Sequence, residues 1–285
     1  MPVFAQDITT YSSRSPYLTP AEFEAEPTGV DIDQLVVGGG DLENDAALAT
    51  AILNASSWAD TICTQVLGAT YDIQAGKYKL RADCTIAVPV DNTPLIEVVE
   101  VTVGRTPATM TALSDLSNVW PGRKVCEIPI PTTAGVRFGD WVYANLGYVN
   151  GYANVLLTQG AAAGATTFVC DGALGIAPGM RVRFYDPPFA EQLTVATVDA
   201  VAATFTTTSP SAYKHGTDVA VSTMPPALRK AIVELTCALI KTRGSSAMVL
   251  DTMASPPSKA TVTQAGASGN VDLAMTLLRP YMRVA

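Results

Sequence analysis

The sequence predicts an α+β fold: a small helical domain built from both chain ends, with a large antiparallel β region (a small barrel or sandwich) inserted between them. Three observations carry that expectation. Apolar residues recur at helical spacing from Asp41 to about Leu67 and again from Pro225 to Gly244. Between those stretches the period shifts to two, with turn residues about every 8–12 positions. Each helical end shows an apolar stripe that needs a partner, and the simplest partner is the other end.

Taken in order, residues 1–18 are polar, hold Ser12-Ser13-Arg14-Ser15-Pro16 and lack an apolar period, which describes an extended arm. Residues 19–76 form the first part of the helical domain. Thr19 can cap, Pro20 suits the first helical position and Glu22 completes a capping box; Pro27-Thr28-Gly29 ends this short helix. Gly38-Gly39-Gly40 makes a turn. The long helix from Asp41 carries Leu48, Ile52, Ala55, Ala59, Ile62 and Val66 on one stripe, with Gly68 as its stop. Asp41, Glu43 and Asp45 face the positive end of its dipole.

Residues 77–150 read as a first β region, with strands at 77–81, 84–88, 95–103, 125–130 and 136–146. Residues 151–224 read as an inserted barrel-like module with strands at 154–158, 166–170, 180–185, 192–198, 203–208 and 218–222. Their alternation favours antiparallel pairing. Residues 225–253 return to helix, with Leu228, Ala231, Ile232, Leu235, Ala238 and Leu239 on one face and Gly244 as the stop. The stretch 254–270, rich in Ala, Ser and Gly, reads as a linker or arm. Residues 271–285 hold a final helix from about Val271 to Leu278, anchored by Leu277, Leu278 and Tyr281 and broken by Pro280.

Hydrophobic residues make up 48% of the 285 and charged residues 15%, enough apolar surface for one large core or two small ones. No apolar run approaches the ~20 residues a membrane-spanning helix needs. The start of the chain has neither the basic nor the apolar region of a secretory signal, so neither membrane insertion nor secretion is expected. The net charge of −8 is unevenly placed. Residues 1–60 hold ten acidic side chains against Arg14 alone, a net of −9, and the stretch from Pro225 onward has a net of +4. Plain solubility explains an acidic end, and so does an acidic end that meets a basic one within or between subunits. No Lys/Arg cluster suited to gripping phosphates is present, and aromatics do not alternate with basic residues as in a single-strand platform.

Catalytic signals are missing. Cys63, Cys84, Cys126, Cys170 and Cys237 lie far apart and read as buried free thiols in a reducing compartment. His215, the only histidine, sits between Lys214 and Gly216 and reads as a surface-loop residue. There is no phosphate loop, dinucleotide fingerprint or nucleophile elbow. Asp31, Asp33, Asp41, Glu43 and Asp45 lack the spacing of a calcium loop and fit helix capping and solvation. Trp58, Trp120 and Trp141 fit core or interface packing. No enzyme activity, cofactor or metal is expected, and the residues alone describe a structural or interaction protein.

Several strings go further. Pro16-Tyr17-Leu18-Thr19-Pro20-Ala21-Glu22-Phe23, Pro27-Thr28-Gly29-Val30-Asp31 and Ser57-Trp58-Ala59-Asp60 open the chain. The run Ala231 to Gly244, including Ala238-Leu239-Ile240-Lys241-Thr242-Arg243-Gly244, and Leu277-Leu278-Arg279-Pro280-Tyr281-Met282-Arg283 close it. Together the chain resembles head-to-tail adaptor (connector) proteins of tailed actinobacterial phages. Tyr148-Val149-Asn150-Gly151-Tyr152, Gly164-Ala165-Thr166-Thr167 and Pro178-Gly179-Met180-Arg181-Val182 are similar to the β module that some of these carry. The resemblance implies a ring of copies of this chain, commonly twelve, beneath the portal protein and above a stopper or tail-completion protein. DNA would pass through the ring without specific binding, in a virion neck assembled in the host cytoplasm, with the β insertion outside. It implies no catalytic residues. Tyr17, Trp58, Leu277, Leu278, Tyr281 and Arg283 are then candidates for portal or subunit contact. Asp41, Glu43 and Asp45 are candidates for lining the DNA channel or meeting a neighbouring subunit. A minor tail or baseplate protein is one alternative. The other is a carbohydrate-binding or carbohydrate-degrading β protein, in which two of Asp171, Asp186 and Asp199 would have to converge.

Overall fold

A computed structural model describes residues 16–33, 35–36, 38–122, 124–131, 136–242 and 262–283, the side chains of 262–267 excepted. The expected arm over 1–15, the Gly244 stop and residues 254–261 of the expected linker lie outside the described residues. The described chain mixes helices with antiparallel sheets, one of them curled.

The helices form for the reasons visible in the sequence. Helix α1 (Pro20–Ala25) starts with the expected capping box: the Glu22 amide donates to Thr19 Oγ1, and the Thr19 amide to Glu22 Oε2 at 2.7 Å. Helix α2 (Asp41–Cys63) buries Leu48, Ile52, Ala55, Ala59 and Cys63. It ends before the expected Leu67 because Thr64 turns left-handed and the Asp60 carboxylate captures the Leu67 amide at 2.9 Å. Helix α3 (Pro226–Lys241) starts on Pro225-Pro226 and is buried along most of its length. Helix α4 (Val262–Leu278) corrects the sequence reading: it begins well before Val271, inside the expected linker. Residues 262–270 show no apolar period, so propensity hid the helix. Val271, Ala274 and Leu278, buried on its later turns, and Asn270, which accepts from Lys241 Nζ at 2.9 Å, hold it beside α3.

The strands fall into three sheets, and every ladder is antiparallel. Strands β1 (Thr70–Lys79), β7 (Trp141–Asn150), β3 (Leu95–Gly104) and β4 (Thr111–Ala112) make the first, in the order β1-β7-β3-β4. Strands β2 (Thr85–Pro89), β6 (Val125–Pro129) and β5 (Trp120–Pro121) make the second. Val88, Val101, Cys126, Ile128, Val142 and Leu146 from these two sheets share one core. The third sheet runs β8 (Asn154–Leu156), β13 (Ala220–Ser222), β10 (Arg181–Tyr185), β11 (Glu191–Asp199), β12 (Thr204–Thr207), β9 (Thr167–Val169). It curls until the ends of its two edge strands meet at a Leu157–Cys170 bridge. Phe168, Phe184 and Phe205 fill its interior, with Phe168 stacked on Phe205 at 5.2 Å.

Two strands depart from the sequence reading by more than two residues at an end, and the short strands β4 and β5 are absent from that reading. Strand β1 starts at Thr70, not Lys77, because its pattern is inverted: Tyr71 and Ile73 point to solvent while Asp72 and Gln74 face inward. The inward Asp72 carboxylate accepts from Asn92 Nδ2 at 2.8 Å and Asn150 Nδ2 at 2.6 Å, which makes the inversion tolerable. Strand β7 starts at Trp141 and runs to Asn150, since 136–140 form a turn in which the Asp140 carboxylate accepts from the Arg137 amide.

The helices share a third core. Tyr17, Phe23, Leu48, Ile52, Ala59, Leu228, Ala231, Leu235, Ala274 and Leu278 belong to one buried cluster, although they come from opposite ends of the chain. The helical and β parts meet where α2 exits toward β1 and β7 passes into β8. There Gly151 adopts φ +87°, and a β-carbon on it would lie 2.2 Å from the Gly68 carbonyl oxygen. The Tyr152 amide donates to Leu67 O and the Ala69 amide to Tyr152 O, both at 2.8 Å. Gly151→Ala combines left-handed strain of about 1–3 kcal/mol with that overlap, so it should lower stability by at least about 2 kcal/mol. Thermal unfolding checks this; an unchanged midpoint would refute the placement of Gly151.

Candidate functional site: polar locks and the surfaces they hold

Three buried polar clusters organise the surfaces where a partner could bind. The first centres on Tyr17. Its hydroxyl donates to Asp60 at 2.8 Å and accepts from the Gly68 amide at 2.8 Å, and its own amide donates to Ser56 Oγ at 3.1 Å. Tyr17 therefore fastens the N-terminal segment to the C-terminal end of α2 from inside the core.

The second cluster centres on Arg229 of α3. Its Nη2 donates to Glu22 of α1 and its Nη1 to Asn154 Oδ1 of β8 at 2.8 Å. The guanidinium carbon lies 3.7 Å from the centre of the Tyr185 ring of β10. Arg229 Nε has no hydrogen-bond partner. One cation thus touches α1, β8 and β10, and it is nearly sealed from solvent together with Glu22.

The third cluster overturns the reading of His215 as a surface-loop residue. Its imidazole is 0% exposed, stacked 4.8 Å from Phe184 at an interplanar angle of 17°. Nδ1 lies 2.9 Å from Asp186 Oδ2 and Nε2 2.7 Å from Glu191 Oε1. Each ring nitrogen therefore faces a carboxylate oxygen at hydrogen-bond distance, and the ring is held from both edges. Reciprocal backbone bonds with Ala161, both 2.9 Å, turn the residue inward while its neighbours Tyr213 and Lys214 stay exposed. Burial pushes the Glu191 carboxyl up, but bonds from Ser211 Oγ, the Ala212 amide and His215 outweigh it and hold the group below its ordinary range. Nothing local in the sequence marks this cluster, because Asp186, Glu191 and His215 meet only through strand pairing.

The other candidates separate in space. Tyr17 and Leu278 are buried in the chain's own core, Trp58, Leu277 and Tyr281 are half-buried, and Arg283 is exposed and pairs with Asp91 at 3.0 Å. The Tyr281 carbonyl accepts from Gln65 Nε2 at 2.9 Å, and its ring stands edge-on to Tyr152. Asp41, Glu43 and Asp45 are exposed on the first turns of α2, with Glu43 Oε2 accepting from the Gly40 amide at 3.0 Å. Asp171, Asp186 and Asp199 are each committed locally: Asp171 accepts from the Leu156 amide, Asp186 pairs with His215, and Asp199 accepts from the Val201 and Ala202 amides.

No protein-family model matches the chain, and no curated protein matches its sequence. The site must be read from its own chemistry. Burial pushes the thiols of Cys63 and Cys170 up to about 12 and those of Cys126 and Cys237 up to about 11; Cys84 is exposed. Among the described residues no three His, Cys, Asp or Glu side chains are grouped to hold a metal, and no helix is long and apolar enough to cross a membrane. The polar groups that converge are occupied by one another, so what they do is fix backbone.

Two measurements test these locks. Arg229→Ala strands a buried Glu22 and should cost about 3–5 kcal/mol in urea unfolding, whereas Arg229→Met with Glu22→Leu should cost much less than either single change. For the third cluster, a carboxyl with a depressed folded value adds stability above the ordinary Glu value of 4.5 and loses it as pH falls through the folded value. Glu191→Gln should therefore lower the thermal midpoint at neutral pH, by about 1–3 kcal/mol of stability, and flatten its fall below pH 4.5.

Proposed function

We propose that the chain is a structural subunit of a tailed-phage neck: one copy in a ring beneath the portal protein that joins the DNA-filled head to the tail and lets the genome pass. The observation that carries this reading is convergence. The strings that resemble head-to-tail adaptors lie at the two chain ends, yet Tyr17, Leu18, Phe23, Ala59, Ala231 and Leu278 from those strings share one buried cluster. An adaptor domain assembled from both chain ends would require packing of this kind. On this reading the four helices form the adaptor domain and the three sheets are its insertion, with the curled sheet as the barrel-like module.

The arrangement also narrows the contact surface. Tyr17 and Leu278 shape it from within, so portal contact falls to Trp58, Leu277, Tyr281 and Arg283 along the exposed margin of the helical cluster. Apolar side chains left half-covered beside a charged rim are the composition of a protein interface. The exposed acids Asp41, Glu43 and Asp45 are left either to line the channel, where repelled phosphates would not be held, or to meet a neighbouring copy. A stopper or tail-completion protein would bind the opposite side of the ring. No cofactor enters this role.

The test is the mass of the complex in solution. Light scattering of the chain mixed with the portal protein of its phage should show a defined ring of copies on the portal. Leu277→Ser combined with Arg283→Glu, both outside the buried core, should weaken that binding at least tenfold while leaving the circular dichroism spectrum unchanged. A wild-type chain that ignores portal would refute the assignment.

A further inference from the structure

The outer face of the first sheet gathers groups that the sequence scatters. In the β1–β7 ladder Lys77 lies opposite Tyr143 and Lys79 opposite Trp141. The Lys77 ammonium stands 5.3 Å from the Trp141 ring centre and 5.4 Å from that of Tyr143. Trp141 is 53% exposed, and Phe138, in the turn that leads into β7, is 73% exposed. Neither lysine joins an ion pair among the described residues. Three carboxylates of this part of the chain are engaged elsewhere: Asp140 accepts from the Arg137 amide, Glu127 pairs with Arg81, and Glu100 accepts from Tyr71. The result is an apolar, cationic sheet face on which Lys77, Trp141 and Phe138 stay exposed among the described residues.

The complement to that face lies elsewhere on the same chain. Leu42, 82% exposed, stands between the exposed acids Asp41 and Glu43, with Asp45 one turn further on. None of the three acids joins an ion pair among the described residues. The two surfaces do not meet within one chain. Helix α2 ends and β1 begins at the Gly68 junction, so the acids lie about 34 Å from it along the helix and the lysines about 25 Å from it along the strand. Helix α2 packs on α1, α3 and α4, not along β1.

We infer that the start of α2 in one copy docks on the Lys77–Lys79–Trp141 face of a second copy, with Leu42 against Trp141 and Phe138 and the acids beside the lysines. This rests on the ring reading above and names its subunit contact. Two different patches make the contact heterologous, which generates a closed ring or an open chain of copies and not a two-fold dimer. Exposed ion pairs add little affinity each, so the apolar contact supplies the hold while the charges set register and encounter rate.

Sedimentation velocity of the full chain over a concentration series, alone and with portal protein, tests the contact. The wild-type chain should self-associate, less so as salt rises from about 0.05 to about 0.5 M. Lys77→Glu with Lys79→Glu should weaken association at least tenfold, and so should Leu42→Ser, each with an unchanged circular dichroism spectrum. A chain carrying Asp41→Lys, Glu43→Lys and Asp45→Lys should fail alone but assemble when mixed with the reversed-lysine chain. Wild-type association by the reversed-lysine chain, or a mixture that gains nothing, overturns the contact. If a ring nevertheless forms on portal in those variants, the ring reading survives and only the contact is lost. A wild-type chain that stays monomeric with and without portal overturns both.

Discussion

The buried Arg229–Glu22 pair is the constraint on which the rest of the arrangement depends. The two residues are 207 positions apart, and nearly all the β structure lies between them. A guanidinium this far from water is tolerable only with a carboxylate partner and most of its other donors engaged, and here Nε alone is left without an acceptor. Glu22 supplies the charge, Asn154 a second acceptor and the Tyr185 ring a polarizable face. Because these partners sit on α1, β8 and β10, the cation is satisfied only when both chain ends and the curled sheet have reached their final places. Apolar clusters tolerate small slips between elements, and a forked donor with fixed acceptors does not.

The Tyr17 cluster and Gly151 extend the same logic to the junction between helices and strands. Tyr17 reaches across to Gly68, and Gly151 lies against the Gly68 carbonyl, so the α2 exit, the N-terminal segment and the β7–β8 passage converge on one stretch of backbone. Pro16 adds a further tie, its carbonyl accepting from Asn154 Nδ2 at 3.0 Å. Asn154 thus bridges the Arg229 cluster and the N-terminal segment. The elements that the proposed ring must hold at a constant angle are those joined by directional polar contacts.

Much of this was legible in the sequence where burial and periodicity agree. The α2 and α3 stripes, the α1 capping box and most strands of the curled sheet follow from spacing alone, since one face of each is buried and the other solvated. The failures share a cause, which is tertiary structure reversing a local signal. Strand β1 hides its first residues because Asp72 points inward to two asparagine amides while Tyr71 and Ile73 point out. Helix α4 hides because Gly266, Gly269 and the serines around them favour a linker, and only contact with α3 selects helix. His215 misled most: a polar tetrad, Tyr213-Lys214-His215-Gly216, describes a loop correctly but cannot reveal which side chain turns inward. The lysine–aromatic face was equally invisible, because Lys77 and Trp141 become neighbours only through the β1–β7 register.

The clusters around Arg229 and His215 share a design that bears on why a charge-poor chain buries polar groups at all. Each places a two-pronged donor or acceptor between fixed partners, and for the Arg229–Glu22 ion pair an apolar contact of the same volume is often as stable or more so. Stability is therefore a poor explanation for them, and geometry is a better one. In a closed ring every subunit repeats the same angle between its two contact surfaces, so a small error per copy accumulates around the circle and prevents closure. In the proposed ring those surfaces would be the start of α2 and the far end of β1, and the angle between them would be set at the Gly68 junction. A hinge there would produce open chains or rings of mixed size. Locking that junction with Tyr17, Asp60 and the close approach at Gly151, and the neighbouring helix–sheet contact with Arg229, removes the hinge. The 15% charged composition is consistent with that proposal, since a surface largely covered by identical neighbours would need few charges for solubility.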